Sequence, residues 1–369
     1  MSRRAHCLVL PYPGQGHINP MLQFSKLLAH QGVRITFVTT RSYYNSLQRV
    51  PSIAVETISD GFDNGGIEEA GSYKVYFDRF WQVGPETFAE LLQKLVDSKE
   101  HVDCVIYDAF IPWALDVAKG FGIVGASYLT QNMAVNNWTT KIWPKIKTIG
   151  PNIPTFYLDN RSEDDQDYEV TKFESEECME WLDYKPKGSV IYVSFGSMAT
   201  FVEEQMEEFA SCLRECSNYY LWVVRASEEN KLPKDFEKKT EKGLVVTWCS
   251  QLKVLAHGAV GCFVTHCGWN STLETLCLGV PTIAIPWWSD QSTNAKLITD
   301  VWKTGIRAPV DEKKIVRREA LKYCIKEIMD EGKEMKINAT QWRNLATKAV
   351  NKCGTSYENI TEFANNLLN

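Results

Sequence analysis

Three short segments in a row near the start of the chain limit the fold more than anything else in it. "HCLVLPY" is an apolar run of buried-strand length, "NPMLQFSKLLAHQG" carries its apolar residues at helical spacing, and "VRITFVTT" is a second strand. Asn19 stands where a cap belongs, Pro20 in the first helical turn and Gly32 at the stop. Strands joined through a helix lie parallel, and parallel sheets are covered on both faces. The same order returns in "VDCVIYDAF", "PWALDVAKGFG" and "IVGASYLTQ". It breaks between Thr148 and Glu177, a stretch with prolines and many acids, and restarts at "SVIYVSFGS". The strands "YYLWVVR", "GLVVTW", "VGCFVTH" and "VPTIAIP" follow. Thr200 and Glu203 have the spacing of a capping box for the first helix of this half, and the pattern from Val316 onward is helical. The chain therefore reads as α/β with two Rossmann-like units. These are residues 1–148, a linker 149–177, residues 178–350, and a final helix in 351–369 that returns to the first unit.

Composition removes several classes of function. With 369 residues, 44% hydrophobic and 23% charged, there is material for two cores. A net charge of −6 gives no general attraction to nucleic acid or to an anionic membrane. The opening "MSRRAHCLVLPYPGQGH" has an apolar run too short for a signal or a span, and no later run is long enough to cross a bilayer. Eleven cysteines without an export signal are expected as reduced thiols, which points to the cytoplasm.

Open α/β sheets bind ligands beyond the carboxyl ends of their strands. The unusual side chains of this chain gather there: His17 and Asp108 in the first unit, Trp248, His266 and Asp290 in the second. "PGQGHINP" lacks the third glycine of a dinucleotide fingerprint, which counts against a nicotinamide-dependent oxidoreductase. His17 either decorates a helix start or meets a ligand, and Asp108 either caps a turn or orients His17. A carboxylate on one ring nitrogen fixes the tautomer and supports the imidazole as it takes a proton. Cys249, His257, Cys262 and His266 contain no C-x-x-C pair, so their spacing argues against zinc. Cys249, Cys262, Cys267 and Cys277 read as small buried hydrophobes. Ser271 and Glu274 fit a capping box, which accounts for both without a ligand. The same helix start is also an anion site, with His266, Asn270 and Ser271 as donors to a phosphate. Trp248 is a core residue or a stacking face for a base. Asp290 beside Gln291 suits adjacent hydroxyls, as on a sugar.

From Trp248 to Gln291 these residues resemble the signature box of the plant family-one UDP-dependent glycosyltransferases, in "WCSQ", "HCGWNS", Glu274, "GVP" and "DQ". "GHINP" and "YDAF" are similar to the same family. The resemblance implies a GT-B fold, two Rossmann-like domains facing a cleft, and an inverting transfer that needs no cofactor and no metal. It implies His17 as general base and Asp108 as its partner. Trp248 then stacks on uracil, Gln251 and Glu274 hold the ribose, and His266, Asn270 and Ser271 take the phosphates with Ser197 nearby. Trp269, Asp290 and Gln291 line the sugar, with Thr130 reaching it from the first domain, and Cys249 and Gly268 belong to the same donor-binding stretch. Gln291 resembles the glucose-preferring members. The implied partners are UDP-glucose and a small lipophilic acceptor, a terpenoid or phenolic, bound by a monomer.

One departure from the family stands out. After "YLTQNMAVNNW" only a handful of residues precede "KIWPKIKTIGP", so the first domain is short by several tens of residues. By the same resemblance the loss falls on late elements of that domain and on the wall of the acceptor pocket. Phe110, Trp113 and Trp138 either line that pocket or pack in the core. The His17–Asp108 pair favours an active glucosyltransferase, and the shortened domain favours a UDP-sugar-binding protein without catalysis.

Overall fold

The computed structural model describes residues 4–44, 47, 50–132, 146–159 and 176–367. Trp138 and the middle of the linker lie outside them. The first unit contains strands β1 (His6–Leu10), β2 (Arg34–Thr40), β3 (Ala54–Ile58), β4 (Cys104–Asp108) and β5 (Val124–Tyr128), in the order β3-β2-β1-β4-β5. Its main helices are α1 (Gln15–His30), α2 (Tyr73–Asp97) and α3 (Trp113–Gly120). The second unit contains β6 (Val190–Ser194), β7 (Tyr219–Val223), β8 (Gly243–Val246), β9 (Val260–Thr265), β10 (Thr282–Ala284) and β11 (Gly305–Arg307), in the order β11-β10-β9-β6-β7-β8. The helices α4 (Trp269–Leu278) and α5 (Lys333–Val350) belong to it, and α6 (Thr355–Asn366) ends the described chain. Every pairing within both sheets is parallel.

Strand periodicity explains how each sheet is covered on both sides. Cys7 and Val9 of β1 turn to one face, into a cluster with Met21, Phe24 and Leu28 of α1. Leu8 and Leu10 turn to the other, against Phe80, Phe88 and Leu92 of α2 and Ala114 and Ala118 of α3. In the second sheet Ile191 and Val193 pack with Phe209 and Leu321, while Val190 and Tyr192 pack with Leu252, Leu255 and Leu278. Each such aliphatic or aromatic side chain contributes about 1.5–3 kcal/mol on burial.

The chain crosses between the units twice. Ile153 and Leu158, just before the undescribed stretch, join the core of the second unit. Ile360 and Ala364 of α6 join the core of the first, and the rings of Phe363 and Phe24 are 6.2 Å apart. Asn359 Nδ2 donates to Thr148 O at 2.7 Å and fastens α6 to the segment leaving the first unit. No helix among the described residues is long and apolar enough to cross a membrane.

Strand order reverses once in each sheet, between β1 and β4 and between β6 and β9. A crevice opens at such a reversal beyond the carboxyl ends of the strands. The loop after β1 leads to His17, β4 ends on Asp108, the loop after β6 holds Gly196, and His266 follows β9.

Three local expectations fail, each for an identifiable reason. The first helix starts at Gln15 behind Gly14, not at Asn19, because the N–H groups of His17 and Ile18 both bond back to Gly14 O at 2.9 Å. Asn19 is therefore buried inside α1, and Pro20 is an interior residue. A proline has no N–H for the carbonyl four residues earlier, which is that of Gly16. Asn270 Nδ2, from the second unit, donates to that carbonyl at 2.8 Å. The Thr200–Glu203 capping box does not form. Its helix runs Glu203–Glu215 behind Val202 with no side-chain cap, and the neighbouring Phe201 N–H donates to Glu228 Oε2 at 3.2 Å. Residues 41–101, which carry none of the patterns above, hold β3 and the 25-residue α2. Gly84 lets α2 lie against Trp113, since a Cβ there would stand 2.8 Å from the indole.

Candidate active site

In the first unit the reversal point brings together residues far apart in sequence. His17 Nδ1 lies 2.7 Å from Asp108 Oδ2, and Asp108 is fully buried. Asp108 Oδ1 accepts the N–H of Phe110 at 2.9 Å, so the carboxylate is held at both oxygens. A carboxylate can only accept, so Nδ1 carries the proton and Nε2 keeps its lone pair. Thr130 Oγ1 also sits 3.0 Å from Nδ1, so its hydroxyl braces the histidine. The rings of Tyr12 and Phe110 meet the imidazole edge-on at 5.2 and 4.9 Å. Burial pushes the Tyr12 phenol up to about 12, so it remains a proton-bearing group beside the histidine. Trp113 is a core residue, whereas Phe110 is exposed.

In the second unit the imidazole of His266 sits between two glycines. A Cβ on Gly196 would stand 2.7 Å from its Cε1, and one on Gly268 2.5 Å from its Nε2. Burial holds the His266 pKa down to about 4. At neutral pH the ring is therefore uncharged and acts as a hydrogen-bond donor rather than a cation. The helix α4 starts directly after Gly268, with Trp269 as its first residue and no side-chain cap. Its first-turn N–H groups are open to an anion.

The capping-box reading of Ser271 and Glu274 does not hold, since Ser271 is already the third helical residue. Both instead accept from Gln251 Nε2, at 2.9 and 2.7 Å. Trp248 lies half-buried just beyond β8, in the loop that leads to Gln251. If its indole carries a base, Trp248→Ala is expected to weaken UDP binding by about 1–3 kcal/mol, measured by calorimetry. Ser197 is exposed, and its carbonyl accepts from Arg225 Nη1 at 2.8 Å. The Cys249 side chain points away from this surface into the core, 3.4 Å from the Tyr192 hydroxyl, so only its backbone faces a ligand.

Gln291 Oε1 accepts the N–H groups of Trp287 and Trp288 at 2.8 and 3.0 Å, which fixes the side chain at the start of its helix. Asp290 is fixed by a residue that sequence reading did not find. The fully buried Asn294 donates from Nδ2 to Asp290 Oδ2 at 2.9 Å and to Cys267 O at 3.0 Å, while its Oδ1 accepts from Asn132 Nδ2 of the first unit at 3.2 Å. The available signal was its place four residues after Asp290, one helical turn on. Asn294→Ala leaves Cys267 O without this donor, and about 2–3 kcal/mol of stability should be lost in denaturant unfolding. A loss under about 0.5 kcal/mol with an unchanged KM for the donor would refute the role.

The side chains once weighed as zinc ligands are dispersed. Cys262 is in the core of β9, and His257 Nε2 pairs with Asp183 at 3.1 Å. Among the described residues no three His, Cys, Asp or Glu side chains converge as a metal site. The two halves of the site face one another, tied by Asn270 to Gly16 and by Asn132 to Asn294.

Comparison with known proteins adds three findings. The family model described as UDP-glucoronosyl and UDP-glucosyl transferase matches residues 159–354, a little over half of the chain. The chain is 39% identical to the flavonol 7-O-beta-glucosyltransferase UGT74F1 of Arabidopsis thaliana, covering 99% of this chain and 98% of that protein. It is 38% identical to the mogroside I-E synthase of Siraitia grosvenorii, covering 97% of each. A crystal structure of Os79 from O. sativa in complex with UDP superposes with a TM-score of 0.92 at 32% identity, covering 98% of this chain and 100% of that one. The match to the Arabidopsis protein runs over 445 positions and this chain has 369 residues, so at least 76 of those positions are empty here.

Proposed function

The chain belongs to the UDP-glycosyltransferase family, with its GT-B fold, and from that premise we propose an inverting transfer of glucose from UDP-glucose to a small lipophilic acceptor. The single observation that carries the reading is the 2.7 Å His17–Asp108 contact, which lies across the cleft from the open start of α4. In the proposed step His17 Nε2 takes the proton of an acceptor hydroxyl. The acceptor oxygen forms a bond to the anomeric carbon, and the bond from that carbon to the β-phosphate oxygen breaks. The electron pair leaves with UDP. The growing negative charge meets the N–H groups of α4 and the neutral His266, with Asn270 and Ser271 beside them. The indole of Trp248 takes the uracil, Gln251 and Glu274 the ribose, and Trp269, Asp290 and Gln291 the sugar.

In this reading the oriented N–H groups carry the charge that a divalent cation would otherwise neutralise. Turnover in excess chelator is expected to equal turnover in added magnesium, and a chelator-induced loss restored by the metal would refute it. The names of the relatives, a flavonol glucosyltransferase and a mogroside synthase, support a phenolic or terpenoid acceptor. We read the protein as a monomer in the cytoplasm, and eleven free thiols, ten of them buried, support that compartment.

The empty positions support a second reading, a UDP-sugar-binding protein with little transfer. The deciding experiment incubates the protein with UDP-glucose and a mixed panel of phenolic and terpenoid acceptors, following UDP release and product mass. UDP-sugar binding with no glycoside across the panel would sink the enzymatic reading.

A further inference from the structure

We propose that an exposed row of aromatic residues on α2, Tyr73, Phe77 and Trp81, forms the distal part of the acceptor site and selects extended, flat, multi-ring acceptors over single-ring ones. The proposal rests on the transferase reading for its reacting end and on α2 for the rest.

The three residues are spaced four apart, so they line one side of the helix and span about 12 Å, the reach of an acceptor with three rings. All three are exposed, at 51%, 36% and 40%. Large aromatic side chains in a continuous exposed strip usually mark a binding surface. The adjacent row of the same helix, Lys74 and Asp78, forms an ion pair at 2.5 Å and marks the fully solvated side. On the other side, Tyr76, Phe80 and Gly84 are buried against the domain. The aromatic row therefore runs along the rim between core and water.

The row is continuous with the catalytic pair. The rings of Trp81 and Phe77 are 5.4 Å apart, Phe77 and Tyr12 are 6.5 Å apart, and Tyr12 is 5.2 Å from His17. Phe110 closes the path at 6.0 Å from Tyr12 and 4.9 Å from His17. Burial raises the Tyr73 phenol pKa, and the charge of Arg225 of the second unit opposes that rise. An acceptor hydroxyl at His17 thus has one uninterrupted apolar path for its remaining rings.

The test uses Trp81→Ala, at an exposed position remote from His17, with Trp81→Phe as the conservative variant. KM and kcat are measured for a single-ring phenol and a linear three-ring phenol, and binding of the three-ring phenol is followed by calorimetry. Expected for Trp81→Ala is a KM and Kd for the three-ring phenol raised roughly fivefold, with kcat within twofold, as fits the loss of one aromatic contact. The single-ring phenol should be unaffected, and Trp81→Phe should restore most of the loss. Equal effects on both acceptors, or no effect on either, would overturn the proposal. So would a concentration-dependent dimer that Trp81→Ala dissociates, because the row would then be covered by a second copy. If the unaltered protein transfers sugar to neither phenol, that result bears on the enzymatic reading, which the full acceptor panel decides, and not on the aromatic row. The calorimetric difference between Trp81 and Trp81→Ala still decides the distal site.

Discussion

Replacing His17 with alanine is expected to lower transfer to alcohol and phenol acceptors by about a hundred- to ten-thousandfold, the usual range for loss of a positioned general base. UDP affinity should stay within about twofold, because the groups assigned to the nucleotide lie in the second domain. A carboxylic acid acceptor is already ionised near neutral pH and should lose far less. The same logic distinguishes orientation from bulk at Asp108. In Asp108→Asn the remaining oxygen keeps the bond from Phe110 N, and the new NH2 group faces His17 Nδ1. Nδ1 must then accept, the proton moves to Nε2, and the base is disabled with its packing intact. Single-turnover product formation with an alcohol acceptor, beside calorimetric UDP titration, measures both quantities. Full activity of His17→Ala toward an alcohol would remove the base assignment.

The second large effect is expected from one methyl group. Gly268 has φ −56° and ψ 149°, values any residue adopts, so Gly268→Ala introduces no backbone strain. Its Cβ would nonetheless stand 2.5 Å from His266 Nε2. The ring cannot retreat, because Gly196 closes the other side. His266 must leave its place, and in the proposed reading a neutral donor to the diphosphate is lost with it. Affinity for UDP should fall at least about tenfold, near the lower end for a hydrogen bond to a charged group. Gly196→Ala should cost more, since Gly196 has φ +71°, where a side chain adds strain of its own. Calorimetry on both variants, with melting temperatures to show that they fold, is the check. Unchanged UDP affinity in Gly268→Ala would mean that His266 does not face the phosphates.

The large features of this molecule are written in local patterns, and most of the failures involve contacts between distant segments. Parallel pairing followed from strand–helix–strand order, and the reversal points then put His17 and Asp108, 91 residues apart, within 2.7 Å. Strand-end position suggested the pair but left a helix-start histidine and a turn-capping aspartate equally open, and only the family resemblance assigned them as base and partner. Ser271 and Glu274 matched a capping box by spacing, but a helix 20 residues earlier supplies Gln251 to both. Spacing within one segment cannot report a partner on another. Asn19 and Pro20 carry the residue types of a helix start, yet the Gly14 turn begins the helix sooner. Asn294 escaped notice because its spacing from Asp290 signals at most one of its three hydrogen bonds, the other two reaching Cys267 O and Asn132 on distant segments. Thr130, expected near the sugar, was legible as a site residue but not as a neighbour of His17.

A mid-helix proline is normally a flaw that a fold tolerates. In α1 Pro20 makes the helix incomplete by one donor, and the missing donor comes from the other domain. The amide of Asn270 has two N–H groups, so one can serve Gly16 O while the other serves a phosphate. A nucleotide that engages Asn270 therefore also pulls on the turn that carries His17. An alanine at position 20 would supply the missing N–H, so that Asn270 would share Gly16 O with the helix itself rather than be its one donor there, and the contact between the domains would matter less to the helix.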